Sequence, residues 1–143
     1  SQQPLEVVAR AEAIAAVRST EDFELLAAGF KRISNILRQA DSFDNFSTHV
    51  IDEQLIEKGA EKVLFEQFKA LSPRVASLKD SGQYREALIL IASLRPVVDS
   101  FFNDVMVLTE DEIVRNNRLT LLAQLKKEFS AIADFSEIVR SDD

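Results

Sequence analysis

Basic side chains occur in two segments that contain no acidic residue, although the 143-residue chain has a net charge of −7. The first segment covers residues 25–40 and the second covers residues 113–127. Together they carry seven of the 17 basic residues, namely Lys31, Arg32, Arg38, Arg115, Arg118, Lys126 and Lys127. Lysine and arginine side chains bind phosphate groups, so both segments are candidates for contacting a polyanion.

Three polar residues of the first segment share one face of a predicted helix. Lys31, Asn35 and Arg38 follow the spacing i, i+4 and i+7. The opposite face is apolar and contains Phe30, Ile33 and Leu37. Simpler interpretations remain: a solvated face, or cations that complement the negative end of the helix dipole. Spacing alone favours these simpler interpretations.

Catalytic chemistry has little support in this sequence. His49 is the only histidine and there is no cysteine, so a His-based metal cluster and a thiolate nucleophile are excluded. We interpret His49 as a surface-loop residue. The three glycines are isolated, so they form neither a phosphate loop nor a dinucleotide-binding fingerprint. We therefore predict no catalytic residue and no metal site in the chain.

Acidic residues are numerous, but most have a structural explanation. Residues 110–112 are acidic because a helix begins there and its dipole favours negative charge. Asp99 and Asp104 interrupt an apolar stretch, and a buried carboxylate needs a cationic partner. The candidate partners are Arg95, Arg115 and Arg118, and Arg115 can instead pair with Asp111 one turn earlier.

Composition predicts a single all-α domain over residues 1–143. The chain is 46% hydrophobic, which is enough for one core, and it has only three glycines and three prolines. A pI near 4.8 argues against indiscriminate nucleic-acid binding. No apolar run suggests a membrane span or a signal peptide, so we expect a cytoplasmic protein. Because the sequence starts at Ser1 without Met, we expect a C-terminal fragment of a longer chain.

Hydrophobic periodicity predicts about six helices in an antiparallel helical bundle, with no internal repeat. We expect them at about residues 4–18, 20–39, 60–80, 84–95 and 96–105, with a last helix that begins at 109 and has an apolar stripe as far as 132. The apolar period continues through Pro73, which predicts one kinked helix. Thr109 and Glu112 have the spacing of a capping box at the start of the last helix.

Two connections differ in character. Residues 41–47 are rich in turn-forming residues, which predicts a loop. Phe43 and Phe46 suggest that this loop is held against the core. Residues 105–108, VMVL, are too short to classify by period, and we interpret them as a tight buried connection.

Three stretches resemble one known family. FKRISNILRQA (30–40), AEKVLFEQF (60–68) and RPVVDSFFNDVMVLTEDEIVRNNRLTLLAQL (95–125) resemble the C-terminal domain of the β subunit of bacterial glycyl-tRNA synthetases. That domain is a DALR-type helical anticodon-binding module. The resemblance extends over about residues 8–135, whereas residues 41–51 match poorly.

The resemblance implies a non-catalytic domain that contacts the anticodon arm of glycine tRNA, while glycylation takes place elsewhere in the enzyme. Two family elements, K-R-x-x-N-I-L and R-x-N-R-L, match residues 31–37 and 115–119. With Arg38 from the polar ridge, the tRNA-binding candidates are Lys31, Arg32, Asn35, Arg38, Arg115, Asn117 and Arg118. The parent enzyme would use ATP and magnesium, and its partners would be the rest of the β subunit and the α subunit of a heterotetramer.

Two other functions remain open at this point. GQYREAL, residues 82–88, is typical of helical hairpins and favours a tetratricopeptide-like protein-interaction module, although no 34-residue period is present. The domain could instead brace its own subunit, with the basic helices packed inside. RNA binding would weaken steeply with salt, whereas binding in a hydrophobic groove would not.

Overall fold

The computed structural model describes residues 21–40, 46 and 49–141, with side-chain surroundings between residues 24 and 129. Within these ranges there are five α-helices and one 3-10 helix, and no strand, which confirms the all-α prediction. The helices are α1 (Glu21–Gln39), α2 (Ala60–Asp80), α3 (Tyr84–Ala92), α4 (Arg95–Asp104) and α5 (Glu112–Ser141), and Glu53–Leu55 form the 3-10 helix. The predicted helix over residues 4–18 lies outside the described residues, which contain fewer α-helices than the six expected.

The five helices bury one apolar core. α1 packs against α4 and α5, and α2 packs against α3 and α4. The predicted apolar stripes supply most of the buried side chains, because helical spacing brings their residues to the same face. The largest fully buried side chains are Ile33, Leu37, Leu64, Leu88, Leu94, Phe101, Leu119, Leu121, Leu122, Leu125 and Phe129.

α1 and α4 approach closely at Gly29. A Cβ atom added at Gly29 would lie 3.1 Å from Cγ1 of Val98, which is a tight contact. The missing side chain therefore lets α4 lie directly against α1. This contact fixes the position of α4 relative to the outer face of α1.

α2 runs without interruption through Pro73, as predicted, and ends at a glycine cap. Gly82 has a φ of 76°, its N–H donates to the carbonyl of Lys79, and the N–H of Gln83 donates to the carbonyl of Leu78. These two bonds form a Schellman motif, in which a left-handed residue satisfies the last carbonyls of the helix. Glycine favours that conformation because it has no Cβ.

The start of α5 differs from the prediction. Asp111, and not Thr109, caps the helix: its Oδ1 accepts hydrogen bonds from the N–H groups of Ile113 and Val114. An aspartate carboxylate satisfies two free donors and also lies favourably at the positive end of the helix dipole. The predicted capping box is therefore wrong, because the helix begins at Glu112.

The connection between α4 and α5 is only partly buried. Val107 is buried, but Met106 is 71% exposed and Leu108 is 42% exposed. The expectation that residues 105–108 form a buried connection is therefore wrong for these two side chains. None of the described helices combines the length and apolar character needed to cross a membrane.

Candidate nucleic-acid interface

The outer face of α1 is polar and basic. Lys31, Arg32, Asn35 and Arg38 are all exposed, whereas the apolar residues of α1 point into the core. This arrangement follows from helical spacing, since the apolar residues of α1 recur every three or four positions and leave these four on the other side. The predicted exposure of the ridge formed by Lys31, Asn35 and Arg38 is confirmed. We call these four exposed residues the α1 ridge.

The cations of the α1 ridge lack ion pairs within the described part of the chain. Among the residues that the structure describes, no carboxylate forms an ion pair with Lys31, Arg32 or Arg38. Arg38 instead donates a 2.9 Å hydrogen bond to Oδ1 of Asn35 one turn away. Oδ1 of Asn35 is thereby used as an acceptor, while its amide nitrogen donates to none of the described residues.

Arg32 has a different environment from its neighbours. Its Cζ lies 4.5 Å from the centroid of the Phe102 ring, at the end of α4. Phe102 is half-buried and packs against the core, with its ring edge-to-face to Phe101 at a centroid distance of 5.4 Å. A guanidinium above an aromatic face is attracted by the negative face of the ring. α4 therefore provides a fixed apolar support for one cation of α1.

The second basic segment, at the start of α5, is mostly engaged in protein contacts. Arg115 is half-buried, and its NH1 donates to the carbonyls of Thr109 and Glu110 at 3.1 and 3.5 Å. These bonds hold the connection that precedes α5 against the helix. The predicted pairing of the Arg115 side chain with the Asp111 carboxylate does not occur, since Asp111 caps the helix with its carboxylate.

Asn117 and Arg118 are buried and have structural roles. Asn117 accepts from the N–H of Asp52 at 2.8 Å and donates to the carbonyl of Asp52 at 3.0 Å. Arg118 is 5% exposed and donates to Oε1 of Glu61 at 3.1 Å and to the carbonyl of Met106 at 2.7 Å. Their donors and acceptors are used inside the protein, so neither side chain is placed to contact RNA in this structure.

Residues 26–138 match the family described as DALR anticodon binding domain, and these residues are most of the chain. The chain belongs to the DALR anticodon-binding domain family. It is similar to "Glycine--tRNA ligase beta subunit" of Acidobacterium capsulatum, with 49% identity over 96% of this chain. The proteins of the same name from Shewanella pealeana and Geotalea daltonii are 43% and 42% identical over 93% and 94% of the chain.

The chain spans about a fifth of the length of these relatives, since the matched region covers 20%, 19% and 19% of the three proteins. The family match confirms the resemblance noted from residues 30–40, 60–68 and 95–125. It also confirms the class of fold that the resemblance implied.

Of the loop of the DALR domain that precedes the 3-10 helix, the structure describes Phe46 and residues 49–52. Phe46 is buried, which agrees with the expectation that this loop is held against the core; Phe43 lies outside the described residues. His49 is exposed, as predicted, with its ring edge-to-face to Phe46 at 5.6 Å. Nε2 of Gln124 donates to the carbonyl of His49, which ties the loop to α5.

Asp99 and Asp104, for which a cationic partner was expected, differ in their surroundings. Asp99 is half-exposed and pairs with Arg95 at 3.4 Å, which was one of the three partners proposed for it. Asp104 is exposed and needs no partner. Within the described ranges no group of acidic or histidine side chains is arranged to hold a metal ion.

Among the residues whose burial the structure describes, Glu61 is the one buried acid, and the sequence pattern did not single it out. Glu61 is 2% exposed and lies on the core face of α2, one turn before Leu64 and Phe65. Burial raises the pKa of the Glu61 carboxyl above its ordinary value, while Arg118 beside it acts in the opposite direction. Its spacing of three and four residues from two core side chains was the signal that could have revealed it.

Proposed function

We propose that this chain binds the anticodon arm of glycine tRNA as a domain of the β subunit of a glycine–tRNA ligase. Its role would be to position the tRNA for glycylation that is carried out elsewhere in the enzyme. ATP and magnesium would serve the parent enzyme, and the partners would be the rest of the β subunit and the α subunit of a heterotetramer. The proposal is supported by the family match and by relatives that carry that name.

The observation that carries the proposal is the α1 ridge, whose cations form no ion pair with any described carboxylate and lie on the surface of a chain of net charge −7. Phosphate groups are the natural partners of such side chains. An acidic surface repels RNA, so a basic ridge within it favours one orientation of the bound tRNA. Bases of an anticodon loop are unpaired, and the amide of Asn35 is suited to bind their edges.

Not all seven candidates enter this proposal equally. Lys31, Arg32, Asn35 and Arg38 form its centre because they are exposed on one helix face. Arg115 is a secondary candidate because its side chain is half-buried and already donates to two carbonyls. Asn117 and Arg118 are left out because their polar atoms bind other parts of the domain. We also set aside the tetratricopeptide-like alternative, which the family match does not support.

The experiment measures binding of glycine tRNA to the 143-residue chain carrying Lys31→Gln and Arg38→Gln together. We expect affinity to fall several-fold, and the slope of log K against log salt to decrease by about 1 for each phosphate contact that is lost. Fluorescence anisotropy at several salt concentrations gives both quantities. A noncognate tRNA, measured in parallel, shows how much of the binding depends on the anticodon arm.

The matched control is Arg74→Gln with Lys79→Gln, two exposed cations of α2. This control removes the same charge from another helix, so it should leave affinity close to that of the unchanged chain. Equal losses for the two double variants would show a general charge effect and contradict the α1 ridge. Unchanged affinity after the α1 substitutions would also contradict it, provided that circular dichroism shows both proteins folded.

A further inference from the structure

Arg32 and Lys31 are adjacent in sequence but differ in what surrounds them. Successive residues of a helix are about 100° apart around its axis, so Arg32 points toward α4 whereas Lys31 does not. The Arg32 guanidinium lies 4.5 Å from the ring centroid of Phe102, and Lys31 has no aromatic neighbour among the described residues. The two cations therefore cannot have equivalent roles.

The Phe102 ring is a rigid support. It packs against the core and meets Phe101 edge-to-face, and Phe101 is fully buried. The contact of Gly29 with Val98 fixes α4 against α1 one helical turn earlier on each helix. Because both helices are held by the core, the ring cannot easily move away from Arg32. The ring therefore favours one position of the exposed guanidinium through a cation–π contact.

Among the described residues, the Arg32 guanidinium contacts this ring and no carboxylate. Arg32 is exposed, and none of the described carboxylates pairs with it. A guanidinium group is planar, and it can stack on one aromatic face while its other face remains available for a second stacking partner. The exposed side of Arg32 therefore offers a flat, cationic surface within the α1 ridge.

We propose that Arg32 and Phe102 form a stacking platform for one unpaired nucleobase of the RNA bound along α1. This inference rests on the proposed function and adds a division of labour to it: Lys31 and Arg38 bind phosphates, and Arg32 binds a base. Unstacked bases of RNA loops commonly stack on aromatic side chains or on guanidinium planes. Asn35 lies three residues after Arg32, on the same side of the helix, and is placed to bind the edge of that base.

The test uses Arg32→Lys, which keeps the positive charge but removes the planar group. Each unpaired position of the anticodon loop of glycine tRNA is replaced in turn by an abasic nucleotide. Affinity is measured for the unchanged chain and for Arg32→Lys. At one loop position we expect the abasic substitution to weaken binding to the unchanged chain by about 5- to 100-fold, in line with the contribution of one stacked base.

At that same position Arg32→Lys should show little further loss, because the stacking partner is already absent. Its salt dependence should match that of the unchanged chain, since the charge is retained. Lys31→Gln is the matched control: its effect should add to that of the abasic substitution at every position. Phe102→Leu, which keeps an apolar side chain without a ring, should reproduce Arg32→Lys at the same position.

The outcomes separate this inference from the function on which it rests. If the unchanged chain binds glycine tRNA no better than the double variant at Lys31 and Arg38, the proposed function fails and the platform fails with it. If that function holds but Arg32→Lys binds as tightly as the unchanged chain throughout the scan, only the platform is overturned. A lower melting temperature for Arg32→Lys with unchanged RNA binding would likewise overturn it, because the contact would then serve only to pack α1 against α4.

Discussion

Arg118 is the residue on which several distant parts of the domain converge. Its guanidinium contacts Glu61 at 3.1 Å, Glu57 at 3.3 Å and the carbonyl of Met106 at 2.7 Å. It thereby joins the start of α2 and the connection after α4 to the first turns of α5. A buried ion pair carries a large desolvation cost, so removing one partner is much more harmful than removing both.

We expect Arg118→Leu to lower the free energy of unfolding by about 3 to 5 kcal/mol, because Glu61 is then buried without a cation. The double variant Arg118→Leu with Glu61→Leu should recover a substantial part of that loss, since no buried charge remains. Urea unfolding at neutral pH gives both values. A double variant that is destabilised by the sum of the two single effects would contradict this account of the pair.

The Glu61 carboxyl also makes stability depend on pH. Burial raises its pKa in the folded protein above the ordinary value of 4.5, with Arg118 opposing the shift. In the interval between the two pKa values the folded chain binds more protons than the unfolded chain. The stabilising contribution of protonated Glu61 is therefore complete below the unfolded pKa and is lost as pH rises through the folded pKa.

Glu61→Gln isolates this effect because glutamine does not titrate. As pH rises above the ordinary carboxyl pKa of 4.5, we expect the free energy of unfolding of the unchanged chain to fall relative to that of Glu61→Gln. Other carboxyl groups contribute equally to both proteins and cancel in the difference. If the difference in free energy of unfolding between the two proteins did not change with pH, the pKa of Glu61 would be the same in the folded and unfolded states.

At the scale of the elements, local signals in the sequence were sufficient for α1 to α4. Periodic apolar residues predicted their buried faces, and Gly82 marked the end of α2, which the structure confirms. Pro96 correctly indicated a new helix, but the predicted boundary at Arg95 is wrong, because α3 ends at Ala92 and Arg95 already belongs to α4. The continuity of α2 through Pro73 was also predictable, because the apolar period was maintained on both sides of the proline. These features depend on neighbours within a few positions in the chain.

Features that depend on distant partners were not predictable in this way. Arg118 and Glu61 are 57 residues apart, and Asn117 and Asp52 are 65 apart, so no local pattern links them. Family motifs placed Asn117 and Arg118 beside Arg115 as candidates for RNA contact, but packing turned both side chains inward. The α1 ridge was predictable because exposure of one helix face follows from the burial of the opposite face.

At the scale of the whole molecule, the buried core and the proposed RNA-binding surface use different residues of the same helices. α1 contributes Ile33 and Leu37 to the core and the α1 ridge to the surface. α4 contributes Phe101 to the core and Phe102 to the boundary between core and surface. Stability and RNA binding should therefore respond to different substitutions.

Leu121→Ala tests whether a core residue affects stability without affecting RNA binding. Leu121 is fully buried in α5, and its truncation should lower the free energy of unfolding by about 2 to 5 kcal/mol, because a cavity is left in a packed core. The matched control is Leu25→Ala, the same chemical change at a partly exposed position of α1, which should cost less than about 1 kcal/mol. Thermal and urea unfolding give both values.

RNA binding by Leu121→Ala, measured well below its melting temperature, should equal that of the unchanged chain, because the α1 ridge is carried by a different helix. Equal destabilisation by the two leucine substitutions would contradict the placement of Leu121 in the core. A selective loss of RNA binding by folded Leu121→Ala would instead show that α5 controls the geometry of the ridge, and core and surface would then have to be treated as one coupled unit.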